Sequence, residues 1–461
     1  MGGSRTRYVE LTGLCRIVIS MTNTRRLGIA ALTMTALITG LAHADSELSD
    51  HATTTTQGKR HHVRMGLELA TIFAVGHQWY WRDNGKPNEV DWQLPHGMAA
   101  VEAKLGGTGA WRFDGNAFDI NAIGHPMFGM MTTFLARENG YSLGESFLIS
   151  TLASGTWETF LELREYGSLN DIAMTSPAGL PLGEAAYQMV HHLRETHLEL
   201  RGGLGVDNGA AFAVMAARAD LDLVPAIGAG TFGGGRRVSF AAELPTDDQG
   251  LRSVDAGAKA TLAGYYHNTN DSSLVVALSS ELDYRKQEQR QERDWDLLSV
   301  VAFGPSIDYR LRANQLTIDV GADAYLDFGM LKSEGFAGWR AAHPTGVLRN
   351  VLEGREHPYY YAAGASLDPH INVTSGGYVA GAKLTGSLFS SIDRADRDQE
   401  MITTDLHLTD SDGHGEAWLG YQQRNVSVLL DGRLHRRAGS ANDVHAEAAE
   451  RTAMVTVGYQ M

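Results

Sequence analysis

Of 461 residues, 43% are hydrophobic and 20% charged, with 52 Gly, 11 Pro, a single Cys and a formal net charge of −15. This balance excludes a basic nucleic-acid binder and an acidic disordered chain. A mean hydropathy of −0.21, with no long apolar run in the body of the chain, excludes a helical transmembrane bundle.

The chain opens on a leader. Residues 1–44 are read as an extended start followed by a secretory signal peptide over 21–44: Arg25 and Arg26, an apolar stretch from Leu27 to Leu41, then Ala42-His43-Ala44 as the cleavage site. Retention of Leu27–Leu41 as an anchor is the alternative, weakened by its shortness. Removing the leader takes away five Arg and one Glu, leaving 34 basic against 53 acidic residues, a net charge of −19. Cys15 lies within the leader, so the exported chain has no disulfide, thiolate nucleophile or Cys-metal site. A large cysteine-free exported chain fits a Gram-negative envelope.

Residues 45–62 are Thr-, His- and Ser-rich and read as a flexible lead-in. Over 63–200 the apolar spacing is helical. His125 to Ala136 predicts a helix stopped by Asn139-Gly140. Ser142 and Glu145 form a capping box for the next helix, expected to reach about Glu165, and Glu145 is most simply a cap. Ser150, Ser154, Glu158 and Glu162 recur every four residues along that helix. A stripe facing water is the plain reading; a stripe facing His125 or a lumen would be functional. Ser168-Leu169-Asn170-Asp171 is a further start signal, and Thr175-Ser176-Pro177 is expected to open the last helix, with Gly179 and Gly183 on a packing face. His191 and His192 suit a helix end at the surface.

From about 205 to 461 the period changes to two. In Leu316–Phe328 the even positions are apolar or small, while Asp319, Asp323 and Asp327 fall on the odd ones. The pattern returns in Val254–Tyr266, Leu274–Tyr284, Tyr378–Leu388, Ile402–Leu408 and Val426–Leu434. Segments of this length can cross a hydrocarbon layer as tilted strands. Arg285–Arg293, Lys332–Glu356, Asp393–Glu400 and Arg437–Glu450 read as connections. The chain closes on Ala453, Val455, Val457, Tyr459 and Met461 on one face, like the last strand of an outer-membrane barrel, except that Met461 replaces a terminal aromatic. A β-sandwich or β-solenoid also alternates; strand length and the terminal strand favour the barrel. The expected fold is therefore α+β: an N-terminal helical domain followed by an antiparallel transmembrane β-barrel of about 12 strands, with apolar side chains outward and acidic ones lining the lumen.

Phe113 to Tyr187 resembles the domain-of-unknown-function family 3943 of bacterial envelope proteins. The likeness rests on Asn121, His125, Pro126 and Gly129; on Ala136, Arg137, Gly140, Tyr141, Glu145 and Ser146; on Ser154, Trp157, Glu158 and Glu162; and on Ser168, Asn170, Asp171, Gly179, Gly183 and Glu184. It covers about 75 residues and implies no established activity. Glu158, Arg164, Asn170-Asp171, Gly179 and Gly183 are also faintly similar to the VanZ-like helical family.

Two functions follow. One is a non-enzymatic outer-membrane channel, receptor or scaffold with the helical domain as plug or periplasmic cap. The other is an outer-membrane enzyme acting on lipid or lipopolysaccharide, with His125, Glu158 and Asp171 as candidate catalytic residues. Ser154, Glu162, Asn170 and Glu184 are the candidate binding or polar helix face. No HExxH, Gly-x-Ser-x-Gly, P-loop or Rossmann pattern occurs, no metal site is expected, and no cofactor is specified. Expected partners are outer-membrane lipid, a small solute or an envelope protein, and not nucleic acid. A third reading makes the helical segment a periplasmic binding module anchored by the barrel.

Overall fold

The computed structural model describes residues 59–83, 94, 97–106, 109–113, 118–162, 165–207, 209–223, 231–234, 236–248, 250–287, 297–332, 359–392 and 407–461. The leader and most of the lead-in lie outside these.

Among the described residues, five helices precede the sheet: α1 (His62–Asp83), α2 (Met98–Leu105), α3 (His125–Glu138), α4 (Leu143–Thr156) and α5 (Leu169–His191). One π-turn, Ile120–Gly124, leads into α3, and another, Trp157–Leu161, extends α4. Residues 111–112 pair with 167–168 as a two-residue parallel bridge. The capping box at Ser142 and Glu145 is present, and Gly140 takes the left-handed conformation (φ 79°) that ends α3. The last helix does not open at Thr175. It starts at Leu169, capped by Ser168, and carries Pro177 and Pro181 in its interior. A proline there removes one helical hydrogen bond, but α5 is held by α3 on one flank and by the sheet on the other, and this packing overrides the local preference.

Twelve strands close on themselves. They are β1 (His197–Asp207), β2 (Ala210–Asp222), β3 (Arg237–Asp247), β4 (Ser253–Asn268), β5 (Ser272–Gln287), β6 (Leu297–Ala313), β7 (Leu316–Lys332), β8 (Tyr360–Ser375), β9 (Tyr378–Ser391), β10 (Leu408–Gln423), β11 (Val426–Ala441) and β12 (Val444–Gln460). Each pairs antiparallel with its chain neighbour, and β12 returns to β1, with Met454 opposite Gly205. Closure leaves no open edge and satisfies the backbone within the wall. The period-two pattern, read from about 205, in fact starts earlier: β1 begins at His197, where Gly202 and Gly203 interrupt the alternation.

Most strands run 14–17 residues, longer than the 9–11 or so that cross a bilayer. Hence Arg437–Glu450, expected as a connection, is a continuation of β11 and β12 around the two-residue turn Asn442-Asp443, with Arg436 paired to Glu447 at 2.9 Å. Ile402–Leu408 falls largely outside the described residues; Leu408 begins β10. One rim carries the short turns 269–271, 314–315, 376–377 and 424–425, with positive φ at Asn314, Gly376, Gly377 and Arg424. The opposite rim takes the longer connections between β5 and β6, β7 and β8, and β9 and β10.

Charged side chains meet across the interior, which fixes which face points inward. Arg285 on β5 reaches Asp412 on β10 at 2.9 Å, and Arg433 on β11 reaches Glu243 on β3 at 2.7 Å. Asp319 and Asp323 share this inward side, paired with Arg310 and Lys259. The even positions of β7 point outward: Leu326 is 75% exposed.

Met330, also outward, is fully covered, and the covering group is the helical segment. Met174 and Ala178 of α5 pack with Phe118 and Ala122 against outward-facing Leu282, Val301 and Met330 and against Tyr359 and Tyr361. Farther along α5, Ala185 packs on outward Leu221, Val238 and Ala260. Met330 lies near the long-connection end of β7, and Leu221 near the short-turn end of β2. The helix thus runs along the outer wall from one rim toward the other. These contacts do not form the expected helical plug, nor a cap beneath the barrel: they lie on the outward face, and the interior is occupied by ion pairs.

Candidate functional site

Three chain segments bring the sequence-derived residues together. Ser168 caps α5 by accepting from the Asp171 amide at 3.2 Å, which sets Asp171 in the first turn. Asp171 and Thr175, four residues apart, share one face of α5. His125, the first residue of α3, reaches both: Nε2 lies 3.2 Å from Asp171 Oδ2, and Nδ1 lies 3.3 Å from Thr175 Oγ1. Asn170 Nδ2 donates to Asp171 Oδ1 at 2.8 Å, and Ser168 Oγ donates to Asn170 Oδ1 at 2.8 Å. The Ser168 amide donates to Glu158 Oε2 at 2.8 Å. His125, Asp171 and Glu158 are therefore linked, through Asn170 and Ser168, in one buried chain of hydrogen bonds.

The serine stripe does not face water. Ser146, Ser150, Ser154 and Glu158 are all buried, and Ser150 accepts from Thr132 of α3 at 2.9 Å. Glu162 accepts from Trp157 Nε1 at 2.8 Å. Glu184 lies elsewhere, 13 residues beyond Asp171 on α5 and so about 20 Å along the axis. There it forms a buried pair with Arg137 at 2.8 Å and accepts from Gln188 at 2.7 Å.

Lys104, Asp119, Lys286, Tyr359 and Tyr361 were not singled out from the sequence, and Asn121 only through the family likeness. Lys104 of α2 is buried and donates to the Glu158 and Glu162 carbonyls at the π-turn. Burial lowers the pKa of its ammonium, opposed by Glu158, Glu162 and Glu165. Asn121 Nδ2 donates to the Tyr359 and Tyr361 hydroxyls at 2.9 and 3.0 Å, and Asp119 pairs with Lys286 at 2.6 Å. These last contacts fasten the helical segment to the wall. The run Tyr359-Tyr360-Tyr361 was the available signal: alternate tyrosines turn to the helices, while Tyr360 donates to Asp410.

Chemically, His125 between a carboxylate and a hydroxyl has the parts of a proton relay. Yet Asp171, Asn170, Thr175 and Glu158 are almost wholly buried, and His125 keeps only 17% of its side-chain exposure. This is the arrangement of an interhelical tie.

The lumen holds a second constellation. Arg433 meets Glu243, Asp431 and Glu416 at 2.7, 3.1 and 3.4 Å, and Asp412 binds both Arg285 and His435, the latter at 2.8 Å. Among the described residues, Asp308, Asp319 and His370 place ligand atoms within 4.8 Å of one another. Arg237 and Arg310 already neutralise the two carboxylates, at 2.9 and 2.6 Å.

Helices bound to the outer wall of a closed, charge-lined twelve-stranded barrel define the class of protein. Residues 110–215 match the family model described as Domain of unknown function (DUF3943), a match that spans α3, α4, α5 and the first strands. The VanZ-like similarity has no support in these matches. No curated protein matches. Solved structures similar over part of the chain include a NanC porin (8% identity, 57% of this chain and 100% of that chain, TM-score 0.30). Others are the Acinetobacter baumannii outer membrane channel DcaP (7%, 58% and 96%, 0.23) and the Acinetobacter baumannii outer membrane protein Omp33 (9%, 58% and 99%, 0.21).

Proposed function

We propose that the protein is a non-enzymatic outer-membrane barrel whose lumen is a narrow polar passage held constricted by charge pairs, with the helical segment a structural part of its outer wall. In this reading the short-turn rim faces the periplasm, as in bacterial barrels generally, and a cleaved signal peptide delivers the chain. The observation that carries it is the pairing of side chains across the lumen, Arg433 with Glu243 and Arg285 with Asp412. Opposed charges drawn together across a passage fill it and resist hydration as long as both partners remain.

Planar-bilayer recording of the refolded protein tests this. The wild type is expected to conduct weakly. Arg285→Ala with Arg433→Ala is expected to raise conductance and shift selectivity toward cations, because unpaired carboxylates then line the lumen. A wide wild-type pore indifferent to these changes overturns the reading. Catalysis on lipid or lipopolysaccharide is the second reading, favoured by the Thr175–His125–Asp171 contacts. It predicts that His125→Ala alters envelope lipids, whereas an interhelical tie predicts unchanged lipids.

A further inference from the structure

We infer that the helical segment is itself embedded in the bilayer, so that the outward face of α4 and its π-turn lies against acyl chains beside the barrel. This rests on the outer-membrane reading of the barrel and goes beyond it.

Polarity within α4 is inverted relative to a helix in water. Ser146, Ser150 and Ser154 point inward and are buried, whereas Leu148, Leu152 and Phe160 point outward and are 56%, 61% and 50% exposed. A water-facing helix shows the opposite arrangement. Helices in lipid associate through small residues and interhelical hydrogen bonds, because burying apolar side chains gains nothing there. Both features occur here. Gly179 and Gly183, spaced as in Gly-x-x-x-Gly, bring α5 so close to α3 that a Cβ on Gly179 would stand 2.2 Å from the Gly129 carbonyl carbon. Thr132 bonds Ser150 across α3 and α4.

Position supplies an independent reason. Since α5 covers outward-facing Met330, Val301 and Leu282, whatever surrounds the barrel at that level meets the helices stacked upon it. Along the outward face of β7 the wall passes from bare Leu326 to Met330, which the helical layer covers. No described helix is long and apolar enough to cross a membrane. The inward Ser, Asn and Asp residues that lower their apolar character face other helices; only the outward face meets the surroundings.

Site-directed spin labelling of the full chain in phosphatidylcholine vesicles tests the inference. Leu148→Cys, Leu152→Cys and Phe160→Cys would be made singly in a Cys15→Ser background, with Leu419→Cys and Val455→Cys as wall references and Thr269→Cys as a water reference. The readout is collision of the label with oxygen, which partitions into lipid, against a water-soluble nickel chelate. All three helical positions are expected to match Leu419 and Val455 in favouring oxygen. If they instead match Thr269 while the wall positions favour oxygen, the helical segment is in water and the inference is overturned with the barrel reading intact. If the wall positions also favour nickel, the barrel reading fails and the inference falls with it.

Discussion

Asn121 carries much of the attachment between helices and barrel, since one amide donates to two buried tyrosine hydroxyls. Asn121→Leu removes both hydrogen bonds at a site closed to water, and a cost of about 1–3 kcal/mol is expected. The helical segment should become more sensitive to protease while the barrel stays resistant. Tyr361→Phe, which removes one of the two, should have a smaller effect. His125→Ala separates structure from chemistry. As a tie between α3 and α5 it should cost about 1–2 kcal/mol and leave envelope lipid composition, read by mass spectrometry, as in wild type. Loss of a lipid species without loss of stability would instead support the enzyme. Glu158, Asn170 and Asp171 were legible because caps and four-residue spacing are local rules, whereas His125 stood out only as a helix start and through the family likeness. Tyr359 lies 238 residues from Asn121, and no local rule reaches that far.

At the level of elements, the α3–α5 crossing is set by backbone approaching backbone. Gly179→Ala would place its Cβ 2.2 Å from Gly129, where the nearest atoms are main chain and have no rotamer to yield. The helices must move apart, at a cost of about 1–3 kcal/mol or more. Gly144→Ala is the matched control: it lies in the first turn of α4 with nothing within 4 Å of its Cβ. There the expected change is neutral or stabilising by up to about 1 kcal/mol. In thermal melts followed by far-ultraviolet circular dichroism, Gly179→Ala should therefore melt below the wild type and Gly144→Ala at or above it. Arg137→Ala leaves Glu184 buried at the same crossing and should cost about 3–5 kcal/mol. Strands such as β7 could be read from the sequence because one face meets ions and the other apolar surroundings. Where the helices cover the wall, Met330 and Val301 keep the same alternation, so period alone gave no sign of the second layer. The side chosen by α4 was equally hidden: Ser150 and Leu148 define two faces, but only packing decides which is turned inward.

The whole molecule joins two structures of unlike cooperativity. Twelve strands form a closed ladder with no end from which to fray, whereas the helical layer is held to it by side-chain packing and a few bonds at Asn121 and Asp119. Regions with fewer cross-links open at lower free energy than a closed sheet. In detergent with increasing denaturant, two transitions are expected: helical ellipticity is lost first, while heat-modifiable gel mobility, which reports barrel closure, persists to higher concentration. Asn121→Leu and Gly179→Ala should shift the first transition and leave the second in place. Arg433→Ala, which strips the cation from Glu243, Asp431 and Glu416, should shift the second. A single coincident transition, moved equally by all three variants, would show that helices and barrel fold as one unit and that the outer-wall layer is required for the barrel to close.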